Sequence, residues 1–220
     1  MPIDPESKAL PRTVPAGETR VVLDNVSWET FERLLDETGP RRGRFAYEEG
    51  TLEIMAPSPE HEILKSNLGR LVEAYAMELG IDIQVTGATT LKLQMKKRGA
   101  EPDESYYVQN ELLIRGRTDL RLGRDPPPDL VIEIQLTRSA LDKLGIYAAM
   151  GVPEVWLWED EALKVYWLSE KGRYIEHGES RSFSGLPLPD LLRFLSEARE
   201  KSTTRLVNDF RSWVRGNLAR

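Results

Sequence analysis

The sequence predicts a fold of the α/β class, because strand patterns and helix patterns alternate along it. Residues 130–134, Leu-Val-Ile-Glu-Ile, form an apolar and β-branched run that is typical of a strand buried on both faces. A helix pattern follows and ends at Gly151, since glycine readily adopts the left-handed conformation that closes a helix. A longer helix pattern spans residues 59–79, with apolar side chains on one stripe. These observations indicate a globular domain with a sheet and packed helices.

The other elements follow from local signals. Ser27 and Ser58 are suited to cap two helices, the first ended by Gly39-Pro40 and the second by Gly80. Ser139, with Asp142 three residues later, predicts a capped helix over residues 140–150. Residues 109–125 are interpreted as a polar connection. Strands are predicted at residues 21–23, 44–49, 51–56, 81–85, 89–94, 105–108, 153–158, 162–168 and 173–176.

The predicted domain organisation has three parts. Residues 1–20 contain four prolines and little to bury, so they are interpreted as a flexible N-terminal arm. Residues 21–187 form the α/β domain, and residues 188–220 form a helical C-terminal extension with apolar residues at helical spacing. That apolar stripe has two interpretations, a homodimer contact or packing against its own domain.

Composition excludes several functional classes. The chain has no cysteine, which rules out disulfides and cysteine nucleophiles and fits a reducing compartment. Two histidines are too few for a multi-histidine zinc site. No apolar run approaches the length of a membrane helix, so a cytoplasmic protein is expected. The net charge of −6 argues mildly against tight nonspecific binding of nucleic acid.

The stretch around the buried strand carries the candidate chemistry. Glu133 interrupts an apolar run, where an ionised carboxylate is costly unless a cation or hydrogen bonds compensate it. Lys143 and Tyr147 follow on one face of the next helix. Asp103 heads another strand, and two neighbouring carboxylates could share one Mg²⁺ ion. Lys143 would then stabilise an attacking water or the charge on phosphorus.

Each candidate also has a structural interpretation. Pro102-Asp103 is a turn dipeptide, so Asp103 could serve only as a turn residue. Lys143 alone would be a surface charge, and Glu133 alone an ion-pair partner. His61 could be a base or a metal-adjacent ligand, or it could be a first-turn histidine that contacts the sheet. Trp156 and Trp158 are interpreted as sheet packing rather than as base-stacking residues.

Several segments together resemble one family. EPDESYYVQN, PPPDLVIEI, SALDKLGIYAAMGVPEVWLW, GTLEIMAPSPEHE and TGATTLKL are similar to segments of the Uma-two family of restriction-endonuclease-like proteins, within the PD-(D/E)xK nuclease superfamily. The resemblance covers about residues 25–195. It implies a restriction-endonuclease-like α/β fold with a mixed β-sheet core flanked by helices. It also implies a nuclease that uses Mg²⁺ or Mn²⁺ to cleave nucleic acid, with DNA as the expected substrate.

The resemblance also assigns roles to residues. Asp103 and Glu133 correspond to the metal-binding carboxylates, and Lys143 resembles a lysine displaced onto the following helix. Gln135 occupies the position where the superfamily has lysine, and Glu62 resembles a helical acid that completes such sites. Glu101 is an outer candidate.

Two functional hypotheses therefore stand. One is an active endonuclease, for which a homodimer is expected because two copies of one site can cut both strands of a duplex. The other is a catalytically degenerate nuclease-fold module that binds nucleic acid or protein, and glutamine at position 135 favours it.

Overall fold

The computed structural model describes residues 17–39 and 43–218. Its strands are β1 (Thr19–Leu23), β2 (Arg44–Glu48), β3 (Thr51–Ala56), β4 (Gln84–Val85), β5 (Leu91–Leu93), β6 (Arg98–Ala100), β7 (Glu104–Tyr107), β8 (Leu130–Gln135), β9 (Glu154–Glu159), β10 (Ala162–Leu168) and β11 (Tyr174–His177). Its α-helices are α1 (Trp28–Thr38), α2 (Pro59–Leu79), α3 (Glu111–Ile114), α4 (Lys143–Met150), α5 (Leu188–Ser196) and α6 (Thr203–Asn217).

The strands form two sheets. A five-stranded antiparallel sheet has the order β1-β3-β2-β6-β5, and a six-stranded sheet has the order β11-β10-β9-β8-β7-β4. The larger sheet is mixed, because β8 and β9 are parallel and its other pairs are antiparallel. Helix α4 makes the crossover between the parallel strands, as such a pair requires. The predicted α/β fold with a mixed core sheet is confirmed. Four strands of the smaller sheet were predicted, but their grouping into a second sheet and strand β6 were not.

The two faces of β8 explain how a charged residue fits into a buried strand. Side chains alternate along a strand, so Ile132 and Ile134 share one face and Glu133 and Gln135 the other. The isoleucine face packs in the main core with Trp156 and with apolar residues of α2, α5 and α6. The interpretation of Trp156 as sheet packing is therefore confirmed. The opposite face carries α4 and the polar groups of the candidate site.

Most predicted helix boundaries are confirmed. The Ser27 side chain accepts a hydrogen bond from the backbone N–H of Thr30, and Ser58 does the same for His61. Helix α2 ends at Gly80, which adopts φ 66° in the left-handed region and donates its N–H to the last turn. The first helix ends at Thr38, before Gly39, while Pro40 lies outside the described residues.

The predicted start of α4 is wrong. The helix begins at Lys143 rather than at residue 140, and Ser139 does not cap it. Instead, the Ser139 hydroxyl donates to Glu53 Oε1 at 2.9 Å, and the Ala140 N–H donates to Glu53 Oε2 at 2.6 Å. Glu53 belongs to β3, so a distant strand binds this segment, and the Ser139 hydroxyl oxygen accepts the Leu141 N–H in a turn that precedes the helix.

Four other predicted segments differ from the structure. The strand predicted over residues 81–85 is reduced to Gln84–Val85, and the one over 89–94 to Leu91–Leu93. The connection 109–125 contains the short helix α3. Strand β1 starts at Thr19, so the last residues of the predicted arm belong to the smaller sheet, and residues 1–16 lie outside the described part of the chain.

The C-terminal helices pack on their own chain. Leu206, Phe210 and Val214 of α6 are fully buried in the main core, against α2. Arg211 Nε donates to Glu78 Oε1 of α2 at 2.5 Å, which fixes the same contact at its polar edge. Of the two interpretations of this apolar stripe, packing against its own domain is confirmed. Among the described helices, none is long and apolar enough to cross a membrane.

Candidate active site

Glu133 lies at the centre of a buried polar cluster. Glu133 is 2% exposed and lies within β8. Lys143 Nζ, in the first turn of α4, is 2.6 Å from Glu133 Oε2, and the Tyr147 hydroxyl donates to Glu133 Oε1. The sequence predicted that a lysine and a tyrosine one turn apart would face this carboxylate. The structure brings all three together.

Asp103 lies beside Glu133, directly before the neighbouring strand β7. The β7–β8 ladder pairs Glu104 with Ile132 in antiparallel register, so Asp103 continues that register opposite Glu133. Asp103 Oδ2 accepts the backbone N–H of Ile134 at 2.8 Å, and the residue is 1% exposed. Asp103 is therefore more than a turn residue, because its carboxylate joins β7 to β8 at the site.

A chain of ionisable groups continues behind Asp103. His61 Nε2 is 2.8 Å from Asp103 Oδ1, and His61 Nδ1 is 2.6 Å from Glu18 Oε1. Because both ring nitrogens face carboxylates, only the doubly protonated imidazolium can donate to both. His61 is in the first turn of α2 and contacts the sheet through Asp103. The interpretation as a first-turn histidine that contacts the sheet is therefore confirmed, and a role as a base or as a metal-adjacent ligand stays a prediction.

Glu18 joins this site although no sequence signal marked it. Its side chain has no solvent exposure, and Oε2 accepts from the Arg20 guanidinium at 2.8 Å and from the Thr137 N–H at 2.9 Å. A single acid in a proline-rich segment carries no pattern that predicts burial. Glu18 connects the N-terminal segment to the loop that follows β8.

Arg44 is a second residue that the sequence did not indicate. It heads β2, and its Nε is 3.9 Å from Asp103 Oδ1, while Nη2 is 3.6 Å from Glu62 Oε1. The Nε–H is buried without a hydrogen-bond acceptor in the described structure. A buried donor without an acceptor is costly, and an incoming oxygen atom would remove that cost.

Burial and charge act in opposite directions on the Glu133–Lys143 pair. Burial raises the pKa of Glu133, the neighbouring Asp103 charge raises it further, and Lys143 and Tyr147 oppose both. Burial lowers the pKa of Lys143, but Glu133 and Asp103 more than compensate and leave it raised. Lys143 is consequently an ammonium group at neutral pH, suited to stabilising negative charge rather than to accepting a proton.

The histidine is also held in its charged form. Burial lowers the pKa of His61, yet the hydrogen bonds and charges of Asp103 and Glu18 raise it to about 9. Burial raises the pKa of Asp103, but the hydrogen bond and charge of His61 outweigh this and lower it. The pKa of Glu18 is lowered in the same way, against its own burial, by His61, Thr137 and Arg20.

The remaining candidates are placed differently. Gln135 shares the Glu133 face of β8, and its amide donates to Glu159 Oε1 at 2.5 Å. Glu62 lies at the edge of the site, with its side chain 41% exposed and ion-paired to Arg44 and Lys65. Glu101 points elsewhere, because it accepts from the Phe45 N–H and from the Thr90 hydroxyl. Those contacts give Glu101 a structural role between strands.

A cavity of about 440 Å³ opens beside the cluster. It lies at the carboxyl ends of the parallel strands β8 and β9, the location where open α/β sheets generally bind ligands. Glu133 and Lys143 form part of its lining, as do Gln135 and, from the loop before α4, Arg138. A ligand in this cavity would therefore meet the cluster from one side.

The donor set fits a hard divalent cation. In the described residues, no group of three or more His, Cys, Asp or Glu could hold a metal ion by itself. Mg²⁺ needs only one or two protein carboxylates, because water and phosphate oxygens complete its shell. Asp103 and Glu133 supply two neighbouring carboxylates. Burial raises the pKa of Glu133, and a bound cation would offset this cost of ionising the buried carboxylate. The fit is to Mg²⁺ or Mn²⁺, not to a histidine- or thiolate-bound metal.

Comparison with known proteins agrees with the fold. No curated protein sequence matches the chain. The profile of the Uma2 (Uma-two) family, described as "Putative restriction endonuclease", matches residues 28–200. This range includes both carboxylates, Lys143 and the whole six-stranded sheet, and it leaves out Glu18. With a match over most of its length, the chain belongs to the Uma2 family of restriction-endonuclease-like proteins.

Proposed function

We propose that the protein is a divalent-metal-dependent nuclease that hydrolyses phosphodiester bonds in DNA. One observation carries the proposal: two carboxylates, Asp103 directly before β7 and Glu133 in the adjacent strand β8, are buried with the Lys143 ammonium 2.6 Å from Glu133. A fold stabilised only by packing has little reason to bury such a set, since ionised groups are costly away from water. Membership of the Uma2 family supports the same function.

Asp103 and Glu133 would hold the metal, and Lys143 would stabilise charge. When bound, Mg²⁺ or Mn²⁺ supplies a Lewis acid that polarises the phosphoryl oxygen and acidifies a water molecule. Lys143 enters the reaction as an ammonium, because its neighbours raise its pKa. It would donate to a phosphate oxygen, where preorganised positive charge stabilises the transition state.

Two residues would position the carboxylates, and Arg44 would face the substrate. The Tyr147 hydroxyl donates to Glu133, and His61 donates to Asp103. Such partners fix the orientation of metal ligands and tune their basicity. Arg44, with its unsatisfied Nε–H near Asp103, offers a donor to a phosphate or water oxygen.

Gln135 and Glu62 have weaker roles in this proposal. Gln135 lines the cavity on the same face as Glu133, so its amide could orient a water molecule without supplying charge. Glu62 would orient Arg44 rather than bind metal, since its side chain is half-exposed and ion-paired. We also propose a homodimer whose two copies meet through a surface other than the buried α6 stripe.

The second candidate function is that of a catalytically degenerate nuclease fold, which binds nucleic acid or protein but does not cleave phosphodiester bonds. One contact favours it: the Gln135 amide, at the position of the superfamily lysine, is committed to Glu159 and brings no charge to the cavity. Turnover would then depend on Lys143 alone. Both candidate functions predict metal binding, but only the nuclease predicts cleavage of DNA.

The deciding experiment combines metal titration with cleavage. Mn²⁺ and Mg²⁺ are titrated by calorimetry into wild type and Glu133→Gln, and supercoiled plasmid is incubated with the same samples. We expect wild type to bind the metal and nick the plasmid, and Glu133→Gln to lose both, because its neutral amide cannot replace the carboxylate.

Glu111→Gln is the matched control. Glu111 is also a buried glutamate with a basic partner, Arg115, but it lies in α3, away from the cavity. It should bind metal and nick DNA as wild type does. Binding without cleavage in wild type would favour the binding module. A wild-type protein that binds no divalent ion would contradict the proposed metal site.

A further inference from the structure

The cavity beside Glu133 has a wall that the hydrolytic cluster does not use. This outer wall contains Arg138, from the loop after β8, and Tyr166, from β10. Tyr166 pairs with Val155 in the β9–β10 ladder, so its ring lies on the cavity face of the sheet. Leu157 and Leu141 add apolar surface between them. A cation, an aromatic ring and apolar contacts thus stand next to the reactive carboxylate.

Arg138 differs from the other cations of this region because it has no partner. Lys143 is paired with Glu133, and Lys164 with Glu159 at 3.2 Å. Arg138 is exposed and makes no ion pair or side-chain hydrogen bond with any residue in the described ranges. An arginine fork that is free at a cavity rim is suited to a phosphate, which it can bind through two parallel hydrogen bonds.

The charges and size of the cavity limit what can enter. Its lining contains three acids, Glu133, Asp142 and Glu159, and two bases, Arg138 and Lys143, so it has no excess positive charge. Such a cavity does not attract a long polyanion, and recognition must come from local contacts. Its volume of about 440 Å³ lies within the range of about 300–1,000 Å³ that is usual for small-ligand pockets. A single nucleotide unit suits this space, whereas an intact duplex would stay outside it.

We propose that this cavity is a subsite for one unpaired nucleotide next to the scissile phosphate. Arg138 binds the adjoining phosphate, and the Tyr166 ring contacts the base. The inference rests on the proposed nuclease function and specifies its substrate as single-stranded or locally unpaired nucleic acid. Aromatic contact of this kind is tolerant of sequence, because every base has a π-face. The subsite therefore selects for strand state and not for base identity.

Fluorescence anisotropy with a labelled twelve-nucleotide oligothymidine, in the presence of Ca²⁺, tests the subsite. Tyr166→Ala and Arg138→Ala should each weaken binding by about tenfold, the order expected when one base stack or one charged phosphate contact is lost. Tyr166→Phe should bind as wild type does, because it keeps the ring. A plot of log affinity against log salt concentration has a negative slope. Arg138→Ala should reduce the magnitude of that slope by about 0.7, the value for one phosphate contact on a single strand.

Arg181→Ala is the matched control for charge. Arg181 is exposed, and its neighbour Ser182 is bonded to Glu154, which alternates with the cavity-lining Val155 and therefore lies on the opposite face of the sheet. Its removal should change the affinity less than twofold. Thermal melting of every variant verifies that each is folded, which is expected because Arg138 is exposed and Tyr166 only half-buried.

The competing results are distinct. Wild type that prefers a duplex of the same length, or variants that bind the oligonucleotide as tightly as wild type, would overturn the subsite. If wild type still nicks plasmid in a Glu133-dependent way, only the subsite is lost. If wild type neither cleaves nor binds any nucleic acid, the proposed function fails together with the subsite.

Discussion

The two carboxylates of the site are held in different ways. Glu133 is held by residues close to it in sequence: Lys143 and Tyr147 are 10 and 14 positions further along, on the helix that follows its strand. Asp103 is held through His61, 42 positions earlier, which is itself bonded to Glu18, a further 43 positions away. One side of the site is thus a local strand–helix unit. The other side depends on the tertiary fold.

The first prediction breaks the local side. Lys143→Ala leaves the Glu133 carboxylate buried without its cation, and we expect a loss of about 3–5 kcal/mol in the free energy of unfolding at pH 8. Urea denaturation in EDTA measures it. The double variant Glu133→Gln/Lys143→Met should recover most of the loss, because it removes both charges and keeps the volume.

Tyr147→Phe is the milder change at the same carboxylate. It removes one hydrogen bond to a charged group and should cost about 1.5–3 kcal/mol. If Lys143→Ala costs no more than Tyr147→Phe, Glu133 is not ionised in the folded protein, and the pair is not an ion pair.

The difference between local and distant contacts also explains what could be predicted from the sequence. Glu133, Lys143 and Tyr147 were found because a charge in an apolar strand and the spacing of a helix are visible in the chain. Asp103 was found through its motif. Glu18 and Arg44 were not, since a single acid or base has no period and only the folded sheets bring it to the site.

The errors in the fold prediction have the same origin. The helix start at Ser139 was locally reasonable, yet Glu53, 86 positions earlier, takes the serine hydroxyl as its hydrogen-bond donor. Four strands of the smaller sheet were predicted, but the separate sheet was not, because its order depends on long-range pairing and its strand β6 has only three residues. Tertiary contacts thus override local signals where a charged side chain of the smaller sheet, such as Glu53, contacts a loop of the larger one.

The second prediction concerns the distant side and its pH dependence. His61 has a pKa raised from 6.5 to about 9, so its contribution to stability is complete below pH 6.5 and is lost as pH rises through about 9. The contribution is roughly 3 kcal/mol, because each tenfold change in proton affinity is about 1.4 kcal/mol. Denaturation in EDTA between pH 6 and 10 should show this decline in wild type.

His61→Gln supplies the comparison. Glutamine keeps one donor and carries no charge, so its free energy of unfolding should be lower at pH 6.5 and should vary less up to pH 10. Lys143 does not interfere in this window, because its pKa is raised from 10.5. Equal slopes in the two proteins would show that His61 is neutral in the fold and that Glu18 and Asp103 are held by other means.

The smallest effect is expected at Gln135, which shares the Glu133 face of β8 but is bonded to Glu159 rather than to a carboxylate of the site. Its amide bonds Glu159 at a half-buried position, so Gln135→Ala should cost only about 1 kcal/mol of stability. If the amide also orients the attacking water, nicking should fall by at least tenfold while Mn²⁺ affinity is unchanged, because Asp103 and Glu133 remain. Cleavage rates and calorimetry on the same samples separate the two quantities. Unchanged nicking would assign Gln135 to the Glu159 contact alone and would leave Lys143 as the polar group of this face that acts on the phosphate. Gln135→Lys then becomes informative, because a second ammonium beside Lys143 should raise nicking only if the superfamily position still faces the substrate.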